Sequence, residues 1–150
     1  MIVVLFGQPH CGKSTLANKF EVHNIDGDKL RELFVNKDYS REGRIKNLNR
    51  ASDIAFYMDS IGQDVVLSLV YPYKEARDYL NSLTKKVAWI YLTYEGERGR
   101  ENFHVKDFEI PEEESILHLD TSKLTIQECV GKINNYVYGI LSSQSNSTDI

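Results

Sequence analysis

Short apolar runs alternate along the chain with stretches whose apolar residues return at every third or fourth position. Ile2-Val3-Val4-Leu5-Phe6, Val65-Val66-Leu67-Ser68-Leu69-Val70 and Val87-Ala88-Trp89-Ile90-Tyr91-Leu92 are runs of strand length, as expected of strands covered on both faces. Residues 22–25 and 116–119 predict two shorter strands. The intervening segments predict helices over 14–20, 29–35, 41–61, 74–83 and 126–141. The longest carries Ile45, Leu48, Ile54, Ala55, Met58 and Ile61 at helical spacing, with Ser40 as its N-cap and Gly62 as its stop. Strands alternating with helices predict an α/β fold in three layers, with a mostly parallel sheet and ligands at the carboxyl ends of the strands. Residues 94–114 are polar and irregular, and residues 142–150 are a low-complexity polar tail expected to be disordered. One domain over 1–141 is expected, without repeat or linker.

Composition narrows the function. At 150 residues the chain can bury a core of its own, and a net charge of −4 argues against binding nucleic acid through a broad basic surface. Cys11 and Cys129 are far apart, and a disulfide would constrain the segment around Cys11, so reduced thiols and a cytoplasmic location are expected. No apolar stretch has the length of a membrane span, and residues 2–6 are too short for a signal peptide.

The chemistry starts directly behind the first strand. Gly7-Gln8-Pro9-His10-Cys11-Gly12-Lys13-Ser14 is a complete phosphate-binding loop, and Ser14 and Thr15 open the next helix. Gly7 and Gly12 let the backbone turn its N–H groups inward, and the helix N-terminus favours an anion. Lys13 can reach the β- and γ-phosphates of a nucleoside triphosphate, and the Ser14 hydroxyl can ligate Mg²⁺.

Other polar clusters fall at predicted strand ends. Asp26-Gly27-Asp28, followed by Arg31, can hold Mg²⁺ through water and accept a proton from a hydroxyl; alternatively it is a plain Asp-Gly turn. Arg44 and Asn47, then Asn47 and Arg50, share a helix face, and Tyr39 offers a ring for stacking; alternatively this is a solvated basic face. Ser68, Leu69, Val70, Tyr71 and Tyr73 could line a substrate pocket, with Arg77 one helical turn beyond, or could simply pack the core.

Taken together, the phosphate loop, Asp26-Gly27-Asp28 with Arg31, Tyr39-Ser40 with Arg44, Asn47 and Arg50, and the 68–73 strand end resemble the adenylylsulfate kinase family. So does the closing segment 119–130, and the likeness spans 2–133. The resemblance implies a P-loop kinase fold, ATP as phosphoryl donor, Mg²⁺ as cofactor, and the 3′-hydroxyl of adenosine 5′-phosphosulfate as acceptor. It implies Asp28 as general base with Lys13, and Asp26 supporting Mg²⁺ beside Ser14. Gly7 to Thr15 would hold ATP, helped by Arg98 and Arg100 from the 94–105 segment. Arg31, Tyr39, Arg44, Asn47 and residues 68–71 would hold the acceptor, with Tyr39 in place of the family's usual phenylalanine. The chain departs from the family after the Trp89 strand, where the lid is shorter and lacks its lysine and tyrosine. That departure leaves a second acceptor open, another nucleotide such as cytidine diphosphoramidate in surface-polysaccharide assembly. A non-catalytic ATP-binding module and a nucleic-acid end kinase are the other readings. Partners are expected to be small nucleotides, with no nucleic acid, no membrane and a possible homodimer.

Overall fold

A computed structural model describes residues 1–96 and 103–147. Its sheet has five parallel strands: β1 (Ile2–Phe6), β2 (His23–Asp26), β3 (Val65–Ser68), β4 (Val87–Thr93) and β5 (Leu117–Asp120), in the spatial order β2-β3-β1-β4-β5. The helices are α1 (Lys13–Ala17), α2 (Gly27–Phe34), α3 (Arg41–Ser60), α4 (Lys74–Leu83) and α5 (Ile126–Ser147). The expected three-layer P-loop kinase architecture is therefore present. Because β1 is central, the loop that leaves it emerges where the chain order reverses, between β3 and β4.

Alternation along the strands sorts the core into two halves. Ile2, Val4 and Phe6 of β1 join Val65 and Leu67, and receive Leu48, Ala51 and Ala55 of α3 and Ala76 and Leu80 of α4. On the other face Leu5 joins Val66, Ala88 and Ile90, and receives Leu16 and Ala17 of α1 and Cys129 and Ile133 of α5. Both cysteines are buried as free thiols.

The boundaries differ from the sequence expectation by more than one residue in four elements, each with a local cause. Helix α1 stops at Ala17 because Lys19 and Phe20 donate back to Leu16 and Ala17 in tightened turns. Helix α2 starts two residues early, because Asp26 is its N-cap and accepts from the N–H groups of Asp28 and Lys29. Strand β3 ends at Ser68, before Tyr71 enters the left-handed region with φ 44°. Helix α5 continues through residues 142–147, which the sequence assigned to a disordered tail. Within that stretch the Ser143 hydroxyl donates to the Gly139 carbonyl, and the Gln144 amide donates to the Lys85 carbonyl (3.2 Å), two residues before β4.

The start of α3 follows the sequence: Ser40 Oγ accepts from the Gly43 N–H at 3.2 Å. The preceding loop folds back over this turn, and the Asn36 amide donates to the Gly43 carbonyl at 3.0 Å. A Cβ on Gly43 would stand 2.3 Å from the Asp38 carbonyl oxygen. Gly43→Ala therefore sets a helix-propensity gain of about 1 kcal/mol against a backbone clash. The clash should win, with a net loss of about 1–3 kcal/mol in urea unfolding; a stabilised variant would refute the close approach.

Candidate active site

The phosphate loop is braced by its neighbours before any ligand is considered. Gly7 has φ 146°, its N–H donates to the Val70 carbonyl at 3.2 Å, and an added Cβ would lie 2.2 Å from the Leu92 carbonyl oxygen. Only glycine fits there. Gly12, with φ 98°, is the N-cap of α1. His10 also has positive φ (69°), so the loop turns tightly on both sides of Cys11.

Lys13 curls back into this loop. Its Nζ donates to the carbonyls of Gly7 (2.9 Å) and Gln8 (2.8 Å) and lies 3.6 Å from Cys11 Sγ. Burial lowers the ammonium's proton affinity, and the Cys11 thiol and the carboxylates of Asp28 and Asp26 oppose that effect. Both acids therefore lie within electrostatic reach of the lysine. Burial pushes the Cys11 thiol up, against the influence of Lys13, so Cys11 packs as a small apolar group.

The sheet register explains how the acids arrive there. Asp26 pairs with Ser68 of β3, and Ser68 pairs with Leu5 of β1, so the carboxylate at the end of β2 lies on the row that leads into Gly7. Asp26 Oδ1 accepts from the N–H groups of Asp28 (2.9 Å) and Lys29 (3.1 Å). Asp28 is exposed in the first turn of α2. Among the described residues no cluster of three or more His, Cys, Asp or Glu could cage a metal ion. Ser14 and Asp26 suit an ion that brings its own phosphates and waters, which is how Mg²⁺ is ordinarily held beside a nucleotide.

Helix α3 joins the same region. Asn47 is buried, its amide donates to the Gly27 carbonyl at 3.5 Å, and its Oδ1 has no partner among the described residues. That stitches α3 to the turn between the two acids. Arg44, one turn earlier, donates to the Tyr73 hydroxyl at 3.5 Å. Arg31 Nη1 is committed to holding the following loop, through the carbonyls of Asn36 (3.2 Å) and Asp38 (3.0 Å). Its guanidinium also covers one face of the Tyr39 ring, 4.0 Å from the centroid. A base stacking on Tyr39 must take the opposite face.

In the 68–71 segment the side chains of Ser68, Leu69 and Tyr71 take the core packing that the sequence offered as the alternative to a pocket wall. Leu69 is buried in the core, and Tyr71 is fully buried, its hydroxyl 2.9 Å from Ser52 Oγ and its ring edge-on to Trp89. Ser68 is buried and donates to Asn24 Oδ1 at 2.9 Å, while Val70 serves through its carbonyl. The reason is topological: β3 lies between β1 and β2, and the left-handed turn at Tyr71 drives the ring into the α3 layer. Arg98 and Arg100 lie outside the described residues.

Two further contacts carry no signal in the sequence pattern. Thr121, just past β5, donates to the Cys11 carbonyl at 2.8 Å and braces the loop from the far side. Gln8 forms a paired contact with Val105, its amide donating to the carbonyl (2.9 Å) and its Oε1 accepting from the N–H (2.8 Å). Between residues 8–11 and 91–94 lies a small cleft of about 140 Å³, with His104 at its rim.

The sheet order and the braced loop define a P-loop kinase fold. The adenylylsulphate kinase family model matches residues 1–101, and the chain belongs to that family. Among curated relatives it is 30% identical over 96 residues to the "Probable adenylyl-sulfate kinase" of Aeropyrum pernix, covering 57% of this chain and 52% of that protein. It is 28% identical over 100 residues to the cytidine diphosphoramidate kinase of Campylobacter jejuni, covering 61% of this chain and 59% of that one. The matched stretch thus spans little more than half of these relatives. The crystal structure of APE1195 superposes with a TM-score of 0.77 at 26% identity, over 93% of this chain and 95% of that one. The Mycobacterium tuberculosis APS kinase CysC, solved with AMPPNP and APS, superposes with the same TM-score at 18% identity, over 91% of this chain and 96% of that one. Among the described residues no helix is long and apolar enough to cross a membrane.

The cap on α2 and any role of Asp26 toward a metal can be separated. Asparagine caps as well as aspartate, so Asp26→Asn should leave stability within about 0.5 kcal/mol of wild type, whereas Asp26→Ala should lose about 1 kcal/mol. Urea unfolding of both checks this, and equal stability of the two would mean that the cap contributes nothing.

Proposed function

We propose that this chain transfers the γ-phosphoryl group of ATP to a ribose hydroxyl of a small nucleotide, with adenosine 5′-phosphosulfate as the leading acceptor. The observation that carries this reading is the phosphate loop with Lys13 folded into it and Asp26 on the sheet row that leads to it, both acids within electrostatic reach of the lysine. In the proposed reaction the loop N–H groups and Lys13 hold the β- and γ-phosphates, whose oxygens are stronger acceptors than the two carbonyls Lys13 now bonds. Asp28 accepts the proton of the acceptor hydroxyl as its oxygen attacks the γ-phosphorus. The bond from that phosphorus to the β–γ bridging oxygen breaks, and ADP leaves. Ser14 and Asp26 are the residues that would hold Mg²⁺, which neutralises phosphate charge when bound with ATP. Arg44 and Asn47 take the anionic part of the acceptor, and charge stabilisation supplies most of the rate.

A second reading has a specific observation in its favour. The cytidine diphosphoramidate kinase matches this chain at 28% identity and 61% coverage, beside 30% and 57% for the adenylyl-sulfate kinase relative. Both readings use the same donor machinery and differ only in the acceptor. Assaying the two acceptors side by side, with ADP release coupled to a reporter, decides between them. Binding of ATP without transfer to either would instead favour a non-catalytic module.

Three substitutions test the roles. Lys13→Ala should abolish transfer in that assay, and turnover within a few-fold of wild type would sink the kinase reading. Asp28→Asn keeps the shape and removes the basic oxygen, so single-turnover transfer at saturating Mg·ATP should fall by roughly two to four powers of ten. If Asp28→Asn is active while Asp26→Asn is dead, the base is Asp26. Arg44→Ala should raise the acceptor KM by about tenfold or more, the worth of a charge-assisted hydrogen bond, and leave the KM for ATP nearly unchanged. The reverse pattern in calorimetry would mean that the two pockets are exchanged.

A further inference from the structure

Residues 103–109 connect the phosphate loop to the wall of the acceptor pocket, and every joint in that connection is a named contact. At one end Gln8 holds both backbone groups of Val105, a two-point contact of the kind strands make with each other. The loop binds phosphate through its backbone, so the Gln8 side chain is spare for this purpose. Val105 is buried beneath it. Two residues on, Asp107 Oδ1 accepts from the Tyr73 hydroxyl at 3.1 Å. That hydroxyl in turn accepts from Arg44 at 3.5 Å, and the Tyr73 ring carries the Arg41 guanidinium 4.2 Å from its centroid. The far end is pinned: the Glu109 N–H donates to the Pro72 carbonyl (2.7 Å), Arg77 donates to the Glu109 carbonyl (2.9 Å), and Phe108 stacks on Tyr91.

We infer that Gln8, Asp107 and Tyr73 are positioning residues of one strut, through which the ATP-binding loop sets the orientation of Arg44 in the acceptor pocket. The inference rests on the acceptor role proposed above for Arg44. It follows from the chemistry of each joint. A carboxylate behind a phenol hydroxyl draws its proton away and makes its oxygen a better acceptor for a guanidinium. Asp107 is therefore suited to fix Arg44 through Tyr73, and the place of Asp107 depends on Val105, which hangs from Gln8. Neither Gln8 nor Tyr73 needs to touch the reacting atoms. The strut gives the loop a mechanical connection to the second substrate, so that the donor and acceptor pockets are set by a shared element.

The test is a double-mutant cycle on the full chain with Gln8→Ala and Tyr73→Phe, read as KM and kcat for adenosine 5′-phosphosulfate at saturating Mg·ATP. Each single variant should raise the acceptor KM by about three- to tenfold, the worth of one hydrogen bond, and move kcat less. The double variant should be no worse than the poorer single one, because both cut the same strut. Effects that multiply would overturn the proposal, as would an unchanged acceptor KM in either single variant. An independent readout covers the case in which Gln8→Ala folds poorly or the acceptor is wrong. In Gln8→Met, which keeps the length but not the amide, hydrogen exchange at the Val105 N–H should be faster than in wild type. Exchange at the wild-type rate would refute the strut. Wild-type protein that transfers phosphate to neither acceptor, yet shows the exchange difference, would refute the function reading alone.

Discussion

The structure depends on how closely the backbone passes itself at the end of β1. Gly7 sits against the Leu92 carbonyl on one side and bonds the Val70 carbonyl on the other. The loop is therefore suspended between the ends of β4 and β3 rather than hanging from its own strand. Thr121 adds a third support from beyond β5. Four parallel strands thus contribute to one loop, and a loop fixed at so many points can hold its N–H groups in place before a phosphate arrives. The cost is conformational: His10 takes a positive φ that a non-glycine side chain disfavours.

Much of this was legible in the sequence because it is local. Apolar runs locate β1, β3 and β4, and the glycine-lysine-serine spacing identifies the loop without reference to anything distant. The acid pair was legible as a strand end, and the register then brought it to the loop. The choice between pocket and core at residues 68–71 was left open by the sequence for a clear reason. A tyrosine at the end of a strand satisfies both a pocket and a core, and the left-handed turn that sends Tyr71 inward depends on Arg77 bonding its carbonyl (2.8 Å) from α4. Gln8 was read only as a loop position, since a side chain that bonds backbone 97 residues away leaves no periodicity behind. Helix α5 outran its apolar pattern because its end is held by Lys85, a contact invisible in a polar tail.

The arginines of α2, α3 and α4 show a division of labour that charge alone does not reveal. Arg31 and Arg41 cover the rings of Tyr39 and Tyr73, Arg50 covers that of Phe34, and Arg77 is buried in backbone contacts. Arg41 also faces the carboxylates of Glu75 and Glu109. Arg44 bonds the Tyr73 hydroxyl and forms no ion pair among the described residues, which leaves its charge available to an anion. Most of these guanidiniums are engaged in aromatic and backbone contacts, in an otherwise acidic protein.

Through Lys13 taken by itself, alkali pushes stability and ligand affinity in opposite directions. Burial lowers the proton affinity of its ammonium relative to the unfolded chain. As pH rises through the folded value, the folded protein gives up this proton while an unfolded lysine still keeps its own. Across that window the unfolded chain binds more protons, so the fold gains stability with rising pH. The same lost proton removes the positive charge that a triphosphate would meet. For Lys13 alone, the interval that adds stability is the one in which the proposed hold on nucleotide would loosen, and it begins below the ordinary lysine range; Tyr71 and the Cys11 and Cys129 thiols, whose proton affinity burial raises, act on stability in the opposite sense.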